Sequence, residues 1–449
     1  MDIRKNDDIK LHIENMTSEG AAVGHCDGIA VFVRGAVTGD EIIAHIIKTS
    51  KRYCIGIVKE ILTPSPYRTA SDCSVSAKCG GCSFRDMTYE AERAFKQSRV
   101  EDAVRRIGHL DVPVRDIIGA DCIDHYRNKA QYPVTIENGE LTAGFYAYKS
   151  HRIVPCHACR LQPPVFEECL AAFADWVKAA DITSYDEKSS RGLLRHLYLR
   201  RTSLGELMAC AVINGHTLPA QDLLIQKLIS IDGMKSICVN YNTENSNVIL
   251  SHRTEVIWGR ATICDSLLGK TFEVSPNSFY QVNHDQCEKL YRKAADYADL
   301  CGSETLIDLY CGAGTIGLTM ADKAKTLYGI EIIPQAIENA RRNAALNGVT
   351  NAEFICGDAD FGARELEKRG VKADVVILDP PRKGCAPELI NTVCRIAPDK
   401  IVYVSCDPAT LARDLALLDE KGYVAQEITP VDMFPRTPHV ETVCLLSPQ

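Results

Sequence analysis

The chain has 449 residues, of which 46% are hydrophobic and 24% charged, values that exclude a disordered or collagen-like protein. No stretch approaches the roughly 18 consecutive apolar residues of a membrane span, and no apolar segment follows the basic residues near the start. We therefore expect a cytoplasmic protein. The net charge of −8 argues mildly against nucleic acid as a partner, but a basic face can lie on an acidic protein.

Short β-branched runs with glycine turns occupy residues 1–62 and are typical of a small β-barrel. A short segment with two prolines follows these runs and predicts a linker between domains. At about 150 residues per domain, the remaining length predicts two further domains. The first is a mixed, strand-rich domain over residues 63–270, with helices predicted at about 88–107 and 163–180.

Strand–helix alternation occupies residues 271–449 and predicts an α/β domain with a doubly wound parallel sheet. The last two strand-like runs are close together, which predicts an antiparallel hairpin at the sheet edge. Residues 88–120 are expected to pack on this domain.

A glycine turn follows the first predicted strand of the α/β domain and opens a helix. Gly312 and Gly314 begin the pattern G-x-G-x-x-G, in which glycines allow a tight turn and close approach of a ligand. Glu331 ends the next strand, where its carboxylate can accept hydrogen bonds from ribose hydroxyls. Dinucleotide enzymes carry the same turn, but Asp308 before the glycines and Asp358 after a third strand favour a ligand such as S-adenosylmethionine.

Two later strands of this domain also end in residues suited to chemistry. Asp379 precedes two prolines and Arg382, a stiff turn that cannot continue a strand ladder because proline lacks an N–H. Cys406 ends the next strand, at the same sheet edge. Its thiol is a candidate nucleophile, and its place at a strand-to-helix junction predicts a lowered pKa.

Twenty cysteines without a secretion signal do not indicate a disulfide framework, and most are expected to be buried hydrophobic residues. Cys73, Cys79 and Cys82, however, lie within ten residues and predict a thiolate metal site. The fourth ligand is expected to be Cys156 or Cys159. Four thiolates suit either Zn²⁺ or a [4Fe–4S] cluster, and the spacing does not distinguish them.

Five segments resemble the RNA uracil-C5 methyltransferase family, in the family's order and over nearly the whole chain: SPNSFYQVN, DLYCGAGTIGL, ILDPPRKG, VSCDPATLARDL and PHVETVCLL. The chain is especially similar to members with an N-terminal TRAM domain, an OB-like barrel, and an iron–sulfur cluster, which methylate 23S ribosomal RNA. The resemblance implies a Rossmann-like class I methyltransferase domain behind a central domain that holds the cluster. It implies methyl transfer from S-adenosylmethionine to C5 of a uridine in 23S rRNA.

The resemblance also implies roles for individual residues. Cys406 is expected to add to C6 of the uracil, which makes C5 nucleophilic, and Glu441 to remove the C5 proton afterwards. The implied cofactor contacts, beside the glycine turn and Asp358, are Gln281, Tyr310, Glu331 and Asp379. The implied ligands of a [4Fe–4S] cluster, favoured over Zn²⁺, are Cys73, Cys79, Cys82 and, rather than Cys156, Cys159.

Basic and aromatic residues that are candidates for RNA contact lie in the first two domains. They are Lys48, Lys51, Arg52, Tyr53, Tyr126, Arg127, Asn128, Lys129, Arg191, Arg195, Arg200 and Arg201. Phe279 is a candidate platform for a base flipped out of its stack, with a core aromatic as the alternative.

Three other functions remain open from the sequence. The family includes transfer RNA enzymes, which are expected to lack the cluster and the TRAM domain. An RNA cytosine-C5 methyltransferase would need a second cysteine beside the proline motif, and Cys385 is near but displaced. A non-enzymatic RNA-binding metalloprotein would leave Cys406 and Glu441 without purpose. We expect a monomer that needs no protein partner.

Overall fold

The computed structural model describes residues 3–449 and begins with a six-stranded sheet. Its order is β1-β5-β6-β4-β3-β2. β1 and β2 lie at opposite ends of this order but are only two residues apart in the chain, so the two edges of the sheet come together and it curls into a small barrel. The strands are β1 (Asp8–His12), β2 (Asn15–Met16), β3 (Ala22–Cys26), β4 (Ile29–Arg34), β5 (Glu41–Thr49) and β6 (Tyr53–Thr63).

The helix α1 (Tyr89–Arg106) confirms the helix predicted at about 88–107, and Thr88 caps its first turn. α1 and the chain after it lie against the C-terminal part of the molecule. Val100 and Val104 belong to one apolar cluster with Ile428, and the Arg115 N–H donates to the Ile428 carbonyl at 2.8 Å.

A seven-stranded sheet forms the middle of the molecule, in the order β13-β12-β11-β10-β7-β8-β9. The helices α2 (Val165–Ala179), which confirms the second predicted helix, and α3 (Gln221–Ile229) share one apolar cluster with this sheet. The strands are β7 (Lys129–Glu137), β8 (Glu140–Tyr146), β9 (Ile153–Pro155), β10 (Leu194–Arg201), β11 (Leu207–Ile213), β12 (Met234–Tyr241) and β13 (Thr254–Gly259), and a separate hairpin contains β14 (Ile263–Leu267) and β15 (Lys270–Val274).

The third large sheet is the α/β sheet that the alternation predicted, with the order β18-β17-β16-β19-β20-β22-β21. Its strands are β16 (Thr305–Asp308), β17 (Thr326–Glu331), β18 (Ala352–Cys356), β19 (Val375–Leu378), β20 (Lys400–Ser405), β21 (Tyr423–Val431) and β22 (Glu441–Pro448). The helices are α4 (His284–Ala298), α5 (Thr315–Met320), α6 (Pro334–Leu346), α7 (Ala359–Lys368), α8 (Pro387–Ile396) and α9 (Pro408–Asp419), with a 3₁₀ turn at Ala321–Lys323.

The predicted antiparallel hairpin is confirmed, because β21 and β22 pair antiparallel. β22 also pairs antiparallel with β20, so β22 lies inside the sheet and only β21 is at the edge. Apolar clusters cover both faces of this sheet. None of the helices within residues 3–449 is long and apolar enough to span a lipid bilayer.

Candidate active site

Cys406 and Glu441 meet at one edge of the third sheet. β20 runs parallel to β19 and ends at Ser405, whereas the neighbouring β22 is antiparallel and begins at Glu441. Ser405 pairs with Thr442 across this ladder, so the residues that bear the thiol and the carboxyl are neighbours. Asp379 follows β19 at the same edge. The fold therefore gathers the predicted nucleophile, the predicted base and a second acid.

Burial controls the charge of these acids. Glu441 is 5% exposed, and burial raises its pKa to about 8, with Asp379 adding to the rise and Arg382 opposing it. Burial likewise raises the pKa of Asp379 to about 7, with a further contribution from the Asp308 carboxyl. At neutral pH these carboxyls therefore hold much of their proton in the free protein.

The lowered pKa predicted for the Cys406 thiol is wrong. Burial, followed by the carboxyls of Glu441 and Asp379, raises that pKa to about 11, although Arg382 opposes the rise. The start of α9 does not compensate, because the Asp407 carboxylate already accepts two N–H groups of its first turn, at 2.9 and 3.1 Å. The thiol therefore needs a proton acceptor or a change in its surroundings before it can act as a nucleophile.

The glycine turn lies between β16 and α5 and leaves its backbone open. Gly312 and Gly314 adopt φ of 55° and 83°, the left-handed region that favours glycine. A Cβ at Gly312 would meet no atom of the described chain within 4 Å, which leaves space for a ligand. The Glu331 carboxylate accepts the Gly312 N–H at 3.3 Å and the Ile333 N–H at 2.8 Å, which fixes it beside the turn.

Asp308 lies beneath the same turn and is fully buried. Its Oδ2 accepts the Gly317 N–H at 3.2 Å, whereas its Oδ1 has no hydrogen-bond partner within the described part of the chain. Burial raises its pKa to about 7. An unpartnered carboxyl oxygen under an open glycine turn is what a site for a polar ligand requires.

The other predicted cofactor contacts lie around this crevice, each with a structural role. The Asp358 carboxylate caps α7 by accepting the Phe361 N–H at 2.9 Å. Gln281 is half-buried, and its main-chain carbonyl accepts a hydrogen bond from the Asn128 side-chain amide at 2.8 Å. Tyr310 is half-buried, and burial raises the pKa of its hydroxyl.

An apolar surface beside the acidic residues was not predicted from the sequence. Ile332, Ile333 and Phe361 are 61%, 55% and 51% exposed, on the loop after β17 and the first turn of α7. They flank Glu331 and Asp358, so a flat apolar group would find a surface next to two carboxylates. The signal in the sequence was the apolar pair directly after Glu331, in a loop where polar residues are expected.

Four predicted metal ligands line one cavity of about 120 Å³: Cys73, Cys79, Cys82 and Cys159. Cys156 lines it as well, so the cavity does not choose between the two candidates for the fourth ligand. Arg85 also lines it, and its Nη1 donates to Asp124 at 2.6 Å. Within residues 3–449, no three or more His, Cys, Asp or Glu side chains form a site for a single metal ion.

The predicted RNA contacts separate into exposed and buried residues. Lys48, Lys51, Arg52, Arg191 and Arg201 are exposed, Tyr53, Tyr126, Arg127 and Lys129 are half-buried, and Asn128 is buried. Phe279 is 75% exposed, which excludes the alternative of a core aromatic.

Phosphate contact by Arg195 and Arg200 is a wrong prediction. Arg200 is 1% exposed and donates to the Ser278 carbonyl at 3.3 Å, and Arg195 donates to the Asn242 carbonyl at 2.8 Å. Both guanidinium groups hold loops of the protein.

Cys385 does not offer a second nucleophile at the crevice. It is 4% exposed, and its N–H donates to Asp414 at 2.7 Å. Its thiol faces the hydroxyls of Tyr310 and Tyr403, and burial raises its pKa to about 12. The cysteine pair of a cytosine-C5 enzyme is therefore not assembled here.

The doubly wound sheet, with its open glycine turn and acidic crevice, places a half-buried thiol beside a buried carboxyl, the arrangement of an α/β enzyme with a candidate nucleophile. Residues 251–449 match the model of the tRNA (uracil-5-)-methyltransferase family. A Clostridium tetani protein described as an uncharacterized RNA methyltransferase is 42% identical over 99% of this chain and 97% of its own length. A Caldanaerobacter subterraneus protein with the same description is 44% identical over 97% of each chain.

A solved structure supports the same assignment. The tRNA (uracil-54, C5)-methyltransferase of Pyrococcus abyssi, in complex with S-adenosyl-L-homocysteine, superposes with a TM-score of 0.78 at 29% identity, over 98% of this chain and 100% of its own. The chain belongs to the RNA uracil-5 methyltransferase family. It is an S-adenosylmethionine-dependent RNA methyltransferase of that family.

Proposed function

We propose that the protein transfers a methyl group from S-adenosylmethionine to C5 of a uridine in 23S rRNA, through a covalent bond between Cys406 and C6 of the base. The meeting of Cys406 and Glu441 across the β20–β22 ladder is the observation that carries this proposal. A thiol supplies the nucleophile that activates C5, and a carboxylate beside it supplies the base that the last step needs.

Each step conserves atoms and electrons. The Cys406 thiol gives its proton to a carboxylate of the crevice, its sulfur adds to C6 of uracil, and the π electron pair of the C5–C6 bond moves to make C5 nucleophilic. S-adenosylmethionine, when bound, would supply the electrophilic methyl group that C5 accepts, and its S–CH3 bond would break to leave the neutral thioether S-adenosylhomocysteine. Glu441 then takes the proton from C5, the C5–C6 double bond re-forms, and the thiolate leaves C6. The base must leave its stack to reach the thiol, and the exposed Phe279 ring is a platform on which it can stack.

The residues around the glycine turn fit the cofactor. The open space above Gly312, the unpartnered oxygen of Asp308 and the carboxylate of Glu331 suit the polar groups of an amino-acid nucleoside. The exposed Ile332 and Phe361 side chains suit the faces of an adenine ring. Gln281, Tyr310, Asp358 and Asp379 would complete the site.

The cysteine cavity fits an iron–sulfur cluster. Its donors are four or five thiols, which are soft ligands, and about 120 Å³ of space lies between them. We assign Cys73, Cys79, Cys82 and Cys159 as the ligands of a [4Fe–4S] cluster.

Support for ribosomal RNA comes from the sequence resemblance and from the exposed basic residues Lys48, Lys51 and Arg52 on the barrel. Transfer RNA is the second candidate, and the Pyrococcus abyssi structure favours it. That tRNA enzyme overlaps 98% of this chain, so the alignment extends into the N-terminal barrel. The presence of a barrel therefore does not exclude a tRNA target, contrary to the expectation from sequence.

The test offers both RNAs to one preparation. Protein purified without oxygen is incubated with labelled S-adenosylmethionine and with unmodified 23S rRNA or tRNA transcripts, and nucleosides are analysed by mass spectrometry. We expect 5-methyluridine in 23S rRNA. If 5-methyluridine forms in tRNA alone, the substrate is tRNA and not 23S rRNA. Cys406→Ser is the matched control and should bind RNA without turnover. Formation of 5-methylcytidine would overturn the proposal.

A further inference from the structure

The loop that leads into Glu441 is held from outside its own sheet. This base loop, residues 432–440, joins β21 to β22. Asp432, Met433, Arg436 and Thr437 within it are buried. Its contacts come largely from α1 and from the chain between the cysteines and α1, so an element distant in sequence fixes the approach to the proposed base.

Arg436 makes the direct connection to the cysteine segment. Its carbonyl accepts the N–H groups of Ser83 at 3.0 Å and Phe84 at 3.2 Å, the two residues that follow Cys82. Its own N–H donates to Glu92 at 2.7 Å, and its guanidinium donates to the Met87 carbonyl at 2.9 Å. The base loop and the chain after the third cysteine are therefore joined by hydrogen bonds of both backbone and side chain.

The backbone of Arg436 needs this support. Its φ is 70°, in the left-handed region that an arginine adopts only when its surroundings hold it there. The supporting N–H groups come from Ser83 and Phe84, whose position depends on the cysteine segment. When that segment loses order, the carbonyl of Arg436 loses its donors and the loop can relax to an ordinary conformation.

The beginning and the end of the base loop are held by α1 and, at Asp432, also by Ile118 and Gln286. Lys96 is fully buried and donates to Asp432 at 2.6 Å and to Glu92 at 2.7 Å. Arg99 donates to the Pro438 carbonyl at 2.6 Å. The contacts of Arg436 are therefore the ones in the base loop that depend on the cysteine segment.

We propose that Arg436 is a positioning residue through which the cysteine segment and the turn after it, residues 73–87, hold Glu441 in place. The cluster then acts on methyl transfer mechanically, without exchanging electrons with the substrate. A displacement of about 1 Å at a catalytic group costs on the order of 100-fold in rate. This inference rests on the proposed role of Glu441.

The first test separates catalysis from cofactor binding in the cluster-loaded protein. Arg436→Asn removes the guanidinium but keeps a residue that tolerates left-handed φ. We expect kcat to fall about 10- to 100-fold, while the dissociation constant of S-adenosylmethionine, measured by calorimetry, changes less than about twofold. Arg105→Asn is the matched control, since Arg105 is exposed in the last turn of α1 and bonds Asp102. An unchanged kcat for Arg436→Asn would overturn the proposal.

The second test does not depend on activity. Hydrogen exchange is followed by mass spectrometry in protein that holds its cluster and in protein from which oxidation and chelation have removed it. We expect residues 432–441 to exchange at least about tenfold faster without the cluster, together with residues 73–87, while β16 to β18 stay unchanged.

Faster exchange in residues 73–87 alone would overturn the connection, and so would uniform acceleration in all three large sheets. Hydrogen exchange reports the connection between the cysteine segment and the base loop whether or not the protein methylates a uridine. A protein that shows the linked exchange but methylates no RNA would refute the proposed function and leave the mechanical connection standing.

Discussion

The buried position of Glu441 predicts that methyl transfer speeds up as the pH rises. Its pKa is about 8, and only an ionised carboxyl can take the protons that the Cys406 thiol and C5 must lose. With that pKa, roughly 1% of the carboxyl is ionised at pH 6, roughly 10% at pH 7 and roughly 90% at pH 9. We therefore expect kcat/KM, which reports ionisations of the free enzyme, to increase about 90-fold between pH 6 and pH 9.

The assay is the initial rate of methyl transfer at subsaturating RNA, at constant ionic strength because phosphate contacts depend on salt. The profile should rise about tenfold per pH unit below pH 7 and level off above pH 8. Two results would refute the reasoning. A flat profile would mean that Glu441 is already ionised at pH 6. A tenfold rise per unit continuing to pH 10 would show that the Cys406 thiol, with its pKa of about 11, is the group that titrates.

Three further changes test other parts of the site. Glu331→Gln should weaken S-adenosylmethionine binding about tenfold or more in calorimetry, because a hydrogen bond to a charged group contributes about 1.5–3 kcal/mol; unchanged binding would remove Glu331 from the cofactor site. Phe279→Ala should lower RNA affinity or kcat through the loss of about 1–3 kcal/mol of stacking, and equal activity would leave the exposed ring unexplained. Cys79→Ser should abolish the iron–sulfur absorbance and iron content, whereas a full iron content would exclude Cys79 as a ligand.

The third sheet was predictable because its parallel strands are buried on both faces and read as continuous apolar runs. The adjacency of Cys406 and Glu441 was not predictable from strand order. β22 is last in the chain but lies between β20 and β21 in the sheet, and no local sequence pattern predicts this strand order. Only the family resemblance indicated that these two residues act together.

Two site predictions failed because they depended on tertiary neighbours. The position of Cys406 before α9 was visible in the sequence, but the carboxyls that raise its pKa come from other strands. Arg195 and Arg200 were predicted to contact phosphates because of their positive charge. The sequence could not show that the Asn242 and Ser278 carbonyls would bind their guanidinium groups.

The buried carboxyls of the crevice explain why, in the proposed reaction, Glu441 accepts the C5 proton after methyl transfer and not before it. Asp308, Asp379 and Glu441 have pKa values raised to about 7, 7 and 8, each chiefly by burial. A cationic methyl donor in this crevice lowers those values, since an opposite charge favours the carboxylate. Ionisation of Glu441 and binding of a sulfonium therefore favour each other, whereas a neutral thioether gains nothing from the same carboxyls. Methyl transfer removes the positive charge, and the affinity of Glu441 for a proton then rises at the moment when C5 must release one.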